Sequence, residues 1–264
     1  MSVADRFSTE LWVCHLGAVP YRDALAIQEH IRALRQADEL PDTLLLLEHP
    51  PVYTRGRRSG AEDLPFGEHF YRAKGIDVVA TDRGGKLTYH GPGQLVGYPI
   101  MRFDDVHRFL RTMEDAIVAA LAEEGVRARS RHEEGIDYTG VWVQDRKIAS
   151  IGVHVSRGVS THGFAVNVDN DLEPFSWVLA CGLPDVTMTS LARELAPERS
   201  TGLARMRRRM ACQFSQAHGR RQRLVSPRRL GIDGLLTLVS ASAPMATPTP
   251  AVPNTVSQQE VVPA

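Results

Sequence analysis

The chain has 264 residues, 43% apolar and 23% charged, with 31 basic against 31 acidic side chains. That length and apolar content suffice for the core of one sizeable domain. A net charge of zero excludes a whole-molecule field that would draw nucleic acid or an acidic membrane surface. The aliphatic run Leu44 to Leu47 is far too short to span a bilayer, and MSVADRFSTE holds no signal-like apolar run, so a cytoplasmic protein with no membrane contact is expected. Three cysteines, Cys14, Cys181 and Cys212, form neither a disulfide framework nor a zinc pattern. Lysines occur only at 74, 86 and 147, so an amine base has few candidates.

LWVCHLG (11 to 17) alternates like a strand, and Tyr21 to Glu39 places Ala24, Ile27, Ile31 and Leu34 at helical spacing. TLLLLEHPPVYT begins as a buried strand stopped by Pro50 and Pro51, and TRGRRSG follows as an exposed basic loop. Arg55, Arg57 and Arg58 there are a solvated cluster or a docking point for an acidic protein. IDVVATD reads as a strand entering RGGKLTYHGPGQLVGYP, from Arg83 to Pro99, after which extended structure resumes. Residues 106 to 124 carry Val106, Phe109, Leu110, Met113, Ile117 and Leu121 on one helical face, with Gly125 as the stop. GVWVQ, KIASIGVHV and THGFAVNV are β-branched and separated by tight turns, which predicts antiparallel hairpins. FSWVLACGLPDVTMTSLAREL leads through a proline-marked loop into a short helix capped by Thr189 or Ser190. The order describes an α/β (α+β) fold with a mixed, largely antiparallel sheet flanked by helices.

Residues 203 to 229 hold nine arginines and no acid, and the last two dozen residues are mostly Ala, Pro, Val, Thr and Ser. Composition therefore divides the chain into a domain over residues 1–200 and an Arg-rich, then Pro/Ala-rich tail over 201–264, expected to be disordered. Without interleaved aromatics the tail does not read as a nucleic-acid binder.

The segment from Arg83 to Pro99 is dense in glycine, proline and hydrogen-bonding side chains, which suits a wall that a ligand approaches closely. It lacks both the GxxxxGK[ST] phosphate loop and the dinucleotide fingerprint, so the ligand group it faces is uncharged. Lys147 starts a strand after a tight turn. It is either a solvated surface lysine or, because KIASIG continues with small residues, a cavity-edge lysine whose lost solvation lets it accept a proton. Cys181 in ACGLP is either a buried small hydrophobe or an accessible thiol held by Pro184, and the residues alone leave both open. His49, His90, His154 and His162 lack metal-ligand spacing, so no metal site is expected.

EHPPVYTRGRR, RGGKLTYHGPGQLVGYP, GVWVQDRKIASIGVHV, THGFAVNV and ACGLPDVTMTSLAREL together resemble the lipoyl(octanoyl) transferase family of lipoate biosynthesis, in family order over residues 11 to 195. The resemblance implies a fold similar to the catalytic domain of biotin and lipoate protein ligases. It implies an acyl site lined by Arg83, Gly84, Gly85, Lys86, Leu87, Thr88, Tyr89 and His90, by Ser150, Ile151 and Gly152, and by Gly163, Phe164 and Ala165. Cys181 is then the acyl-accepting nucleophile and Lys147 the residue that lowers its pKa. The donor would be octanoyl-acyl carrier protein. The acceptors would be lipoyl domains of 2-oxoacid dehydrogenase complexes and the glycine cleavage H protein, and no cofactor would be needed. The terminal helical region of the family has no match beyond Leu195. The runners-up are an ATP-dependent lipoate or biotin protein ligase and a non-catalytic acyl-carrier-binding module.

Overall fold

The computed structural model describes residues 9–179, 186–196 and 202–236. In chain order, the first elements are β1 (Glu10–Ala18), α1 (Tyr21–Gln36), β2 (Thr43–Glu48), β3 (Val52–Arg55), α2 (Gly67–Ala73), β4 (Asp77–Ala80), β5 (Leu87–His90) and β6 (Gln94–Ile100). There follow α3 (Val106–Glu123), β7 (Arg129–Ser130), β8 (Gly140–Val143), β9 (Arg146–Ser156), β10 (Val159–Asn167), β11 (Thr187–Met188), α4 (Leu191–Glu194), α5 (Leu203–Ala217) and β12 (Arg221–Leu224).

Among the described residues, a nine-stranded sheet runs β12-β1-β2-β6-β10-β9-β8-β7, with β11 added to β9. From β2 to β7 every neighbour pair on this path is antiparallel, while β1 pairs in parallel with β2 and β12. The expected mixed, largely antiparallel sheet flanked by helices is what the chain forms. A second sheet, β4-β3-β5, has three strands.

The run TLLLL is apolar throughout because β2 is covered on both faces. Leu44 and Leu46 join a core with α3 and α5, whereas Leu45 and Leu47 join one with α1. Each such leucine contributes about 2 kcal/mol by its burial. Helix α3 begins where Asp105 accepts hydrogen bonds from the backbone N–H groups of His107 (2.8 Å) and Arg108 (3.1 Å). It ends before Gly125, whose φ of 87° suits glycine. Ser190 caps α4, accepting from the backbone N–H of Arg193.

The tail expectation requires correction. Residues 203 to 217 form α5, with Met206, Met210 and Phe214 buried against α3, and the chain continues through β12. The arginines lack acids within their own segment because the rest of the protein supplies them. Arg205 and Arg209 lie 3.0 and 3.1 Å from buried Glu124, Arg220 lies 3.1 Å from buried Asp42, and Arg221 pairs with buried Glu10. A local charge count misses counter-ions recruited from elsewhere in the chain. The part of the expected tail beyond 236 lies outside the described residues.

Candidate active site

The motif from Arg83 to Pro99 connects the two sheets: it passes through β5 of the small one, turns, and becomes β6 of the large one. The small sheet is fastened over the large one by the backbone N–H of Gly84, which donates to the carbonyl of Val153 (2.9 Å). That approach requires Gly152, because a Cβ there would lie 2.8 Å from the carbonyl oxygen of Gly84. Between the sheets lies a cavity of about 530 Å³, within the range of small-molecule sites.

From the first motif the cavity is lined by Arg83, Gly84, Gly85, Lys86, Leu87, Thr88 and His90. Lys147, Ser150, Ile151 and Gly152 line it from β9, and Gly163, Phe164 and Ala165 from β10. Three segments remote in sequence thus converge on one space. Tyr89 is the exception among the described site residues: strand alternation turns it away from the cavity. It packs in the small sheet's own core, 5.5 Å from the Tyr53 ring and 5.4 Å from the Phe175 ring. Cys181 lies outside the described residues. Its segment departs at Leu179, whose N–H donates to the Asp63 carbonyl (3.2 Å), and the chain then pairs Met188 with Lys147.

Lys147 is only 2% exposed, which settles the choice between a surface and a cavity lysine. Its ammonium sits 5.2 Å from the centroid of the Trp142 ring, an attractive arrangement. Gly140, with φ of 135°, makes room for it, since a Cβ at that position would lie 2.8 Å from Lys147 Cε.

A polar network fixes the motif residues. Arg83 donates from Nε and Nη2 to Thr54 Oγ1 (3.1 and 2.9 Å) and from Nη2 to the Thr54 carbonyl (2.6 Å). Gln94 Nε2 donates to Asn167 Oδ1 (2.9 Å) and to the Tyr89 carbonyl (3.2 Å), so its Oε1 accepts from His90 Nδ1 (2.7 Å). His90 Nε2 then faces the Thr54 hydroxyl at 3.4 Å as an acceptor. Burial holds His90 well below the usual histidine pKa, in keeping with this neutral form. Asn167 Nδ2 reaches the Thr189 carbonyl (2.9 Å), and the Thr189 N–H bonds the Lys147 carbonyl (2.9 Å). The network therefore runs from Arg83 to the backbone of Lys147.

Several lining residues lay outside the sequence expectation. Tyr21, Tyr98 and His162 close the inner end, Val106, Leu110 and Ile136 form an apolar lip, and Arg57 and Arg58 stand at the rim. Of the basic loop expected to be exposed, only Arg57 and Arg58 are: Thr54 and Arg55 end strand β3, Thr54 and Gly56 are buried, and Arg58 is bonded to Asp137 (2.8 Å). His162 Nε2 lies 2.7 Å from Asp82 Oδ1 and must donate to it, which makes Nδ1 the acceptor for the Tyr21 hydroxyl at 3.3 Å. The signal for His162 was its place beside Gly163 in THGF. Tyr21 and Tyr98 carry no such local mark.

A cavity between two sheets, walled by glycine-rich backbone and edged by a buried lysine, has the size and lining of a small-molecule site. Residues 20–215 match the model of the lipoyl protein ligase A/B catalytic domain, and the chain belongs to that family. An octanoyltransferase of Rubrobacter xylanophilus is 46% identical over 207 residues, 77% of this chain and 91% of the relative. One of Acidothermus cellulolyticus is 48% identical over 185 residues, 69% and 80% of the two chains. Among solved structures, a lipoate-protein ligase A bound with ATP superposes with a TM-score of 0.73 at 20% identity, covering 88% of this chain and 94% of that one. A putative lipoate protein ligase of T. acidophilum with bound lipoic acid gives 0.71 at 20% identity, covering 88% and 95%. These structures share the fold. Among the described residues, no helix is long and apolar enough to cross a membrane.

Proposed function

We propose that this acyltransferase moves an octanoyl group from octanoyl-acyl carrier protein to a lysine of lipoyl domains, through a thioester on Cys181, in the cytoplasm. The observation that carries the reading is the convergence of three motif segments and buried Lys147 on one cavity. It stands beside relatives called octanoyltransferase at 46 to 48% identity. Acceptors of this kind are the lipoyl domains of 2-oxoacid dehydrogenase complexes and the glycine cleavage H protein.

In the first step the Cys181 thiolate attacks the donor thioester carbonyl, forming a C–S bond. The tetrahedral intermediate collapses with loss of the carrier's thiolate, which takes a proton from the Lys147 ammonium and leaves Lys147 as the free amine. Lys147 as ammonium stabilises the attacking thiolate. In the second step the acceptor lysine amine attacks the acyl-Cys181 carbonyl, Cys181 leaves as thiolate, and the amine's proton passes to Lys147. Thioester exchange is nearly balanced and amide formation from a thioester is downhill, so no nucleotide enters. Burying the methylenes at about 0.8 kcal/mol each favours a medium chain over a short one.

The test compares two donors with a purified lipoyl domain: octanoyl-acyl carrier protein without ATP, and free octanoate with ATP. The expected result is acceptor modification only with the first. Modification only with the second identifies a ligase, and none with either, alongside carrier binding, identifies a non-catalytic binding module.

A further inference from the structure

One buried carboxylate takes no part in the reaction steps above. Glu114 on α3 is wholly buried, on a helix whose neighbouring buried positions are the apolar Met113, Ala116 and Ile117. A carboxylate held out of water is stable only where hydrogen bonds and an opposite charge replace its hydration. Both of its oxygens are so used. Oε2 accepts from Arg111 Nη1 (2.7 Å), and Oε1 accepts from the backbone N–H of Gly140 (2.9 Å). The first bond stays within the helix, whereas the second crosses to the start of β8.

The place of Gly140 is exacting. Its φ of 135° belongs to glycine, and a Cβ there would lie 2.4 Å from the Ala149 carbonyl oxygen and 2.8 Å from Lys147 Cε. The ladder beside it is irregular: Gly140 pairs with Ser150 and Val141 with Ala149, but Trp142 pairs with Lys147, so Ile148 is an extra residue on β9. A bulge of this kind re-aims nearby side chains and disrupts the local pairing. Here it sets Lys147 opposite Trp142, with the ammonium 5.2 Å from the ring centroid. On the other side, Gly140 follows two short 3₁₀ turns, His132–Glu134 and Ile136–Tyr138. Glycine is the residue freest to leave its conformation, and the bond to Glu114 ties this one to a helix packed in the main core.

We propose that Glu114 is a positioning residue for Lys147: its carboxylate fixes Gly140, and Gly140 in turn keeps open the space beside Lys147 Cε that holds the lysine against Trp142. This rests on the acyl-transfer reading for what Lys147 does there. With an apolar side chain at 114 the buried Gly140 N–H lacks its acceptor, so the start of β8 shifts to find one and the space beside the lysine is no longer kept. A glutamine at 114 retains an acceptor oxygen at the same reach, and the partly exposed Arg111 can turn to water.

The test compares Glu114→Met, which has similar volume but no comparable acceptor, with Glu114→Gln, which keeps one. Two quantities are read: the single-turnover rate of acylation at saturating octanoyl-acyl carrier protein, and the Cε carbon resonance of Lys147, which the Trp142 ring displaces and which needs no transfer. The chain holds three lysines, so lysine-labelled protein gives three Cε signals, and Lys147→Arg identifies the one at issue. Glu114→Met should lower the rate by roughly tenfold or more, change the donor's half-saturation by less than about twofold, and move the Lys147 signal towards that of free lysine. Glu114→Gln should recover the rate to within about threefold of wild type and return the signal to its wild-type position. Should Glu114→Met not fold, Glu114→Asp, one methylene too short to reach Gly140 from the same helix position, carries its expectations. A folded Glu114→Met or Glu114→Asp protein that acylates at the wild-type rate overturns the proposal. So does a lost rate with an unmoved Lys147 signal, or a Glu114→Gln protein no better than Glu114→Met. No acylation of the wild-type protein, with the signal still moved by Glu114→Met and kept by Glu114→Gln, overturns the acyl-transfer reading and leaves the positioning of Lys147 standing.

Discussion

The two ends of the cavity are built on opposite plans. At the inner end, rings of Tyr21, His49, His90, Tyr98 and His162 lock one another through hydrogen bonds, with burial keeping the histidines neutral. At the other end, a side chain is missing at Gly140 and a buried lysine occupies the space. The strand that pairs with that lysine, β11, continues the segment carrying Cys181. The difference teaches that the ring cluster is held in one arrangement by its own hydrogen bonds, whereas the lysine is housed by the absence of a side chain beside it.

Breaking the reactive end should cost most. Lys147→Ala is expected to slow acylation by about 10² to 10⁴-fold while leaving the fold intact. It should also move the pH profile of acylation upward, since the thiolate loses its ammonium partner; an unmoved profile in stopped-flow acylation would remove Lys147 from the mechanism. Gly140→Ala comes next. Its new methyl group would meet Lys147 Cε at 2.8 Å and the Ala149 carbonyl oxygen at 2.4 Å. Transfer should fall by about tenfold to 100-fold, and unfolding in denaturant should show a loss of about 1 to 3 kcal/mol.

The closed end predicts an effect on stability. Burial pushes His49 down to about 4, while in the unfolded chain it titrates near its usual 6.5. Between those values the unfolded state binds more protons, so the stabilisation is fully present above about pH 6.5 and is lost as the pH falls towards 4. The loss from this one group is on the order of 3 kcal/mol. Denaturant titrations at pH 7 and pH 4 should show it, and His49→Gln should lessen the dependence, with the other buried histidines supplying the rest; an equally steep dependence in that variant contradicts the assignment. The smallest effect belongs to Tyr89, which faces away from the cavity. Tyr89→Phe should leave transfer kinetics within about twofold of wild type, and a large kinetic loss would place its hydroxyl in the site after all.

Much of this arrangement was legible in local sequence. Glycine spacing marked the wall from Arg83 and the apolar rhythm of 106 to 124 marked α3, while the small residues after Lys147 offered a cavity reading beside the surface one, which only its burial decided. What was missed depends on tertiary placement. Tyr21 opens a helix and Tyr98 sits inside an apolar strand, so neither differs locally from a core residue, yet the fold brings both to the cavity's end. Tyr89 lies within a motif whose neighbours face the cavity, but alternation along β5 sends it to another core. Helix α5 hid behind its arginines, because the partners Glu10, Asp42 and Glu124 lie far away in sequence.

The central claim is that the cavity presents a thioester carbonyl to Cys181. Its most direct test is intact-mass and peptide-mapping mass spectrometry after brief mixing with octanoyl-acyl carrier protein and no ATP or acceptor. The account predicts one octanoyl group, mapped to Cys181, lost when a lipoyl domain is added and absent from Cys181→Ala. Acceptor modification that proceeds undiminished in Cys181→Ala, with no adduct ever found on the wild-type protein, would contradict it.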